Sequence, residues 1–152
     1  MSEHQETLND VFCDVCERLA FMFGELALDD EFPDVDSECA MASMNFTGPL
    51  KGRLTLAVPT EICPEIAANV LGLDPDDELV AQSADDALRE LLNVTCGNLL
   101  TALAGEEPVF DLSVPKVSQI STDTWNTLRS APGTAAFLVD DSPVLLNLLL
   151  EE

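Results

Sequence analysis

Glu90 and Asn93 stand three positions apart in the segment Ser83-Ala84-Asp85-Asp86-Ala87-Leu88-Arg89-Glu90-Leu91-Leu92-Asn93-Val94-Thr95-Cys96-Gly97-Asn98. In a helix each residue advances about 100° around the axis, so Asp86, Glu90, Asn93 and Gly97 fall within an arc of about 60°. A carboxylate and a carboxamide at i,i+3 spacing are neighbours on one face. Together they suit one kind of chemistry, in which the acid anchors a cationic group and the amide orients a water by donating and accepting hydrogen bonds. Neither is a good nucleophile, and the single histidine, His4, is remote in sequence. Ser/His/Asp and Cys/His catalysis therefore lack support, and there is no Gly-rich phosphate loop.

Each of these residues also has an ordinary reading. Ser83-x-x-Asp86 forms a capping arrangement, and an acid in a helix's first turn suits its dipole. Glu90 taken alone is a solvated helix residue. Asn93 is less ordinary, because Asn is a mediocre helix former that prefers caps and turns. Gly97 inside a helix costs about 1 kcal/mol against Ala, so it calls for a packing reason or for a partner's close approach. The spacing makes a partner-binding face; it does not by itself establish catalysis.

A helix from Ser83 to about Ala104, stopped by Gly105, must carry these residues, with Ala84, Leu88, Leu91, Leu92, Thr95, Leu99 and Leu103 turned to the core. Apolar residues at helical spacing from Leu8 to Leu26, including Val15, Leu19 and Phe23, predict a first helix over residues 7–27, after a ragged Met1–Gln5. The acidic stretch Asp29–Glu38 reads as a solvated loop without assigned function. Cys39–Phe46 and Leu50–Val58 flank Thr47-Gly48-Pro49 and predict a hairpin. Thr60 is placed to cap a helix running to Leu71, with Pro64 in its first turn and Gly72 at its end.

Beyond the turn Asp74-Pro75-Asp76-Asp77 and the long helix, Val109–Ile120 reads as strand interrupted by Pro115, and Thr122–Arg129 as a short helix. A last hairpin joins Thr134–Val139 to Val144–Leu150 through Asp140-Asp141-Ser142-Pro143. Its second strand is apolar on both faces except at Asn147, so it is either central in the sheet or paired with another chain. Strands joined by tight turns favour a mostly antiparallel sheet packed by a long N-terminal helix and a long central one. The fold class is α+β, a two-layer α/β arrangement, in a single domain over residues 1–152.

Six Lys and Arg against 29 Asp and Glu give a net charge of −23 in 152 residues. Without a Lys/Arg cluster, nucleic-acid binding and attachment to anionic membranes are not expected. No apolar run approaches a membrane span, and no charged n-region precedes an apolar stretch, so the expected location is cytoplasmic. With 47% hydrophobic residues the chain has material for a core and is unlike an acidic disordered tail. Five cysteines, an odd number, suggest reduced thiols. Cys13 and Cys16 form a C-x-x-C on a helical pattern, without the further ligands zinc needs; no metal site is expected, and small buried hydrophobes are the better reading.

Asp86-x3-Glu90-x2-Asn93, the pair Gly97-Asn98, and the run Leu112-Ser113-Val114-Pro115-Lys116-Val117 resemble the signature of the CheC/CheX/FliY phosphatases of bacterial chemotaxis. The element order is similar over most of the chain. CheC-like members carry two such helices; here the first helix offers Glu17-Arg18-Leu19-Ala20, with no Asn at the matching place, so one site per chain resembles CheX. The resemblance implies a CheY-like response regulator bearing an aspartyl phosphate and Mg2+ as substrate. Glu90 would pair with the regulator's active-site Lys, and Asn93 would hold water in line with the phosphorus. Asp86 and Gly97 would belong to the docking face. The protein would need no cofactor of its own. It would be a homodimer whose sheets join, which suits the apolar strand Val144–Leu150. Two alternatives stand beside this: a non-catalytic module of the same fold, docking on a regulator or a flagellar-switch component, and a thiol sensor using Cys13 and Cys16.

Overall fold

The computed structural model describes residues 3–28, 30–74 and 76–151. Met1 and Ser2 of the expected ragged start, Asp29 of the acidic loop, Pro75 of the acidic turn, and Glu152 lie outside the described residues. Helix α1 spans Glu3–Ala20, so Glu3–Gln5 are helical and not ragged. Its apolar stripe of Leu8, Phe12, Val15 and Cys16 is buried. The helix ends a full turn and more before residue 27. Phe21 takes φ 53°, the Met22 N–H returns to the Cys16 carbonyl at 3.1 Å, and Gly24–Leu26 forms strand β1. Phe23 is consequently 64% exposed, outside the stripe the spacing assigned to it.

Strands β2 (Cys39–Thr47) and β3 (Lys51–Pro59) form the expected hairpin, in register from Cys39 opposite Pro59 to Phe46 opposite Gly52. A single 3-10 turn over Thr60–Ile62 leads into α2, Cys63–Leu71. Thr60 caps neither: its hydroxyl instead bonds Gln119 Oε1 at 3.1 Å. Gly72, at φ 68°, ends α2 as its freedom from a Cβ allows. A short α3 (Leu79–Gln82) precedes the long α4, Ala84–Ala104. Strands β4 (Asp111–Leu112) and β5 (Lys116–Ile120) flank Pro115, and α5 covers Thr122–Ser130. Ser121 caps α5, its hydroxyl accepting the Thr124 N–H at 3.3 Å.

The final hairpin is tighter than the sequence suggests. Asp140 and Asp141, both at positive φ, make a two-residue turn between β6 (Thr134–Val139) and β7 (Ser142–Glu151). Positive φ at both central positions matches the right-handed twist of the flanking strands, and Asp tolerates it.

Among the described residues the strand order is β1-β6-β7-β3-β2-β4, with β5 pairing the other stretch of β2, and every pairing is antiparallel. Strand β7 is therefore central. Strand β6 pairs it from Ser142 to Asn147 and β3 from Leu145 to Glu151. Of the two readings of Val144–Leu150, central in the sheet or paired with another chain, the structure shows the first.

Alternate residues of each strand point to opposite faces. Ala42, Met44, Leu54, Leu56, Leu146 and Leu148 meet α1, α2 and α4 in the larger core. The other face packs Cys39, Ala57, Ile120 and Leu145 against Trp125 of α5. Phe32 completes this second core, stacked on Trp125 at 6.3 Å between ring centroids, with the Arg129 guanidinium 4.5 Å from the Phe32 ring. The acidic stretch is thus anchored through Phe32 and is not simply a solvated loop.

Burial holds the thiols protonated. Cys16 is pushed up to about 12 and Cys39, Cys63 and Cys96 to about 11, desolvation being the first cause in each case. We expect these four to react slowly with a thiol reagent in the native protein at pH 8 and quickly after unfolding; fast native labelling of Cys16 would revive the sensor reading. Above the ordinary value near 9 the unfolded chain loses thiol protons that the folded chain keeps, so stability falls as pH rises from about 9 to 11. Urea midpoints measured at pH 8 and pH 10 check it.

Candidate functional site

Helix α4 lies across the sheet with Leu88, Leu91, Leu92, Leu99 and Leu100 buried, each burial worth about 1.5–3 kcal/mol. Ala84 and Leu103, assigned to the same face, are half-buried. That grip fixes the rotation of the helix. Asp86, Glu90 and Asn93 consequently emerge on the outer side, all exposed.

Asp86 does not complete a capping box. Ser83 makes no side-chain cap, because α3 runs directly into it and leaves it at φ −106°, ψ 4° instead of in the extended region a cap uses. The Asp86 carboxylate accepts a hydrogen bond from Arg89 Nη1 at 2.8 Å. Asp85 and Asp86 still stand in the first turn, where the dipole favours negative charge.

A groove of about 640 Å3 runs beside this face. Asp86, Arg89, Glu90 and Asn93 form its α4 wall. Leu19 of α1, Val70 and Leu71 of α2, and Val114 and Pro115 from the β4–β5 connection form the rest. Pro115, which sequence places in the same signature as Glu90 and Asn93, meets them here across the fold. Its buried ring fixes that connection. Sequence reasoning misses Leu19, Val70 and Leu71, since segments so far apart give no local sign of convergence.

Gly97 goes elsewhere. It lines a separate hollow of about 340 Å3 between α1 and α4, with Val11, Asp14 and Ala102. A Cβ at Gly97 would meet nothing within 4 Å, so no internal packing requires glycine there. Its neighbour Asn98 has an internal role: Nδ2 donates to the Val94 carbonyl at 2.7 Å, and Oδ1 accepts from Arg18 Nη2 at 3.5 Å, tying α4 to α1. Arg18 is held in turn by Asp14 at 2.7 Å.

An exposed acid beside an exposed amide, in an open groove with an apolar far wall, can dock a cation and place a water, and offers no nucleophile of its own. Among the described residues no group of three or more His, Cys, Asp or Glu side chains is placed to hold a metal ion. No helix among them is long and apolar enough to cross a membrane.

Residues 40–135 match the family model described as "Chemotaxis phosphatase CheX", a span that includes α4 and Pro115. No curated protein matches. Several solved structures share the fold, CheX proteins among them. CheX from Vibrio vulnificus is 17% identical, with a TM-score of 0.72 over 99% of this chain and 97% of that one. CheX from Desulfovibrio desulfuricans is 16% identical, with a TM-score of 0.70 over 99% and 100%. CheX in a CheX–CheY complex with BeF3 and Mg2+ from Borrelia burgdorferi is 20% identical, with a TM-score of 0.60 over 99% of each chain.

Proposed function

The chain belongs to the CheX family of chemotaxis phosphatases, and from that premise we propose that it accelerates hydrolysis of the aspartyl phosphate on a CheY-like response regulator. The observation that carries this reading is the exposure of Glu90 and Asn93 together on one open groove of a helix whose opposite side is locked into the core. Glu90 engages the regulator's active-site lysine and sets the docking register. Asn93 reaches the phosphorylation site and holds a water in line with the phosphorus.

In phosphoryl transfer the protein's contribution is positioning and charge, not covalent chemistry. The regulator's own Mg2+ and lysine supply the positive charge, which suits a phosphatase whose net charge is −23. The Borrelia structure, a CheX–CheY complex with BeF3 and Mg2+, supports a partner that brings its own metal. The same reading puts the protein with its regulator in the cytoplasm. The same reading makes the protein a homodimer, formed elsewhere than along Leu145–Asn147 of β7, where both edges are occupied.

The test is acyl-phosphate decay on a cognate regulator, with and without this protein. Acceleration is expected. A complex that forms without acceleration would make the chain a binding module of the same fold. Glu90→Ala is expected to weaken association by about tenfold or more, through loss of a partner for the regulator's lysine, with less effect on the rate at saturation. Association should also weaken as salt rises. An unchanged dissociation constant in the Glu90→Ala variant would remove Glu90 from the interface.

A further inference from the structure

The groove beside Glu90 and Asn93 has a far wall that the proposed chemistry leaves unused. Leu71 is 39% exposed and Val114 is 78% exposed, and both line it. Single exposed apolar side chains are ordinary. These two are held in place. Val114 stands between the buried Pro115 and Ser113, whose N–H donates to the Asn45 carbonyl at 2.9 Å and whose hydroxyl accepts the Asn45 N–H at 2.8 Å. Leu71 is the last residue of α2, followed at once by Gly72, whose N–H bonds the Ala68 carbonyl. Their backbones are fixed before any partner arrives, which lowers the entropy cost of contact. Arg89 supplies the groove's cation among the described residues. One of its N–H groups is on Asp86 and its side chain is 37% exposed, which leaves the guanidinium further donors for a partner.

We infer that Leu71 and Val114 form an apolar seat, and Arg89 a counter-charge, for the receiver domain that docks on Glu90 and Asn93. The occupant presents an exposed apolar side chain flanked by a cation facing Glu90 and a carboxylate facing Arg89. Its identity rests on the phosphatase reading; the seat is continuous with that site, and the groove's mixed charges fit a mixed, not a uniformly basic, partner surface. Leu71, Val114 and Arg89 are positioning residues. They set register and choice of regulator and do not touch the reacting atoms.

The probe is a CheY-like receiver from the same organism. Loaded with Mg2+ and beryllofluoride it gives a dissociation constant; phosphorylated with acetyl phosphate it gives kcat and KM. Leu71→Ser, Val114→Ser and Arg89→Ala alter exposed or half-exposed positions, and an unchanged Tm confirms that each variant folds. Each is expected to weaken binding about five- to tenfold while kcat at saturating receiver stays within about twofold. Arg89→Lys should recover part of the loss. Unchanged affinity in both serine variants, with an active wild type, overturns the seat. A fall in kcat at saturation overturns the positioning role. A wild-type protein that leaves acyl-phosphate decay at its spontaneous rate overturns the phosphatase reading first, and the occupant with it.

Discussion

Asn93→Ala is expected to abolish acceleration of acyl-phosphate decay, a fall of about 10²-fold or more, while the complex with the regulator forms as before. The amide is the group assigned to the attacking water, and alanine can neither donate to that water nor accept from it. The fold gives the experiment an internal control. Asn93 is exposed on α4, and alanine is the better helix former by several tenths of a kcal/mol. Activity should therefore collapse while Tm holds or rises slightly, a pairing that general misfolding cannot produce. Decay rates at saturating enzyme, beside a titration with beryllofluoride-loaded receiver, check both halves. Full activity in this variant would end the water-positioning role.

Gly133→Ala is expected to be among the most damaging single-methyl changes to the fold. Gly133 has φ 83°, in the left-handed region, and its carbonyl accepts the Leu148 N–H at 3.0 Å. A Cβ there would run into the Leu148 carbonyl oxygen, which belongs to the central strand and cannot swing away. Backbone strain and the clash together should cost about 2–4 kcal/mol and lower Tm by roughly 5–15 °C. Gly97→Ala is the counterpart with opposite sign. With open space around it, the added methyl should stabilise α4 by up to about 1 kcal/mol, so any loss of regulator affinity would signal close approach by a partner and not damage to the helix. Thermal melts of the two variants side by side settle the comparison.

What sequence makes legible is what local periodicity encodes. Helix α4 follows from its apolar stripe, and the same stripe places Asp86, Glu90 and Asn93 outside. The hairpins follow from turn residues between apolar runs. The misreadings share a cause: a distant partner outcompeting a local rule. The stripe of α1 continues in spacing through Phe23 and Leu26, yet the chain turns at Phe21. The Phe23 carbonyl accepts the Asp140 N–H at 2.8 Å, and the Phe23 N–H donates to the Asp140 carboxylate at 2.8 Å. Thr60 gives up capping for Gln119. Phe32 reads as solvated among acids because its stacking partner Trp125 stands far along the chain. The groove's far wall escapes a reading of sequence for the same reason, since Leu19, Leu71 and Val114 come from three separate segments.

The central place of β7 has a kinetic consequence. Its seam with β3 pairs Ala57 with Leu145 and Lys51 with Glu151, contacts about ninety to a hundred residues apart, whereas each hairpin closes across a few residues. Local ribbons of that kind form in microseconds, and zipping two of them together over so large a loop is the slow event. Helix α4 packs on β2 and β3 in a core to which β6 and β7 also contribute, so that core is not complete until the zip is. A chain caught before that point would present an open β3 edge to its neighbours, the geometry from which aggregates grow.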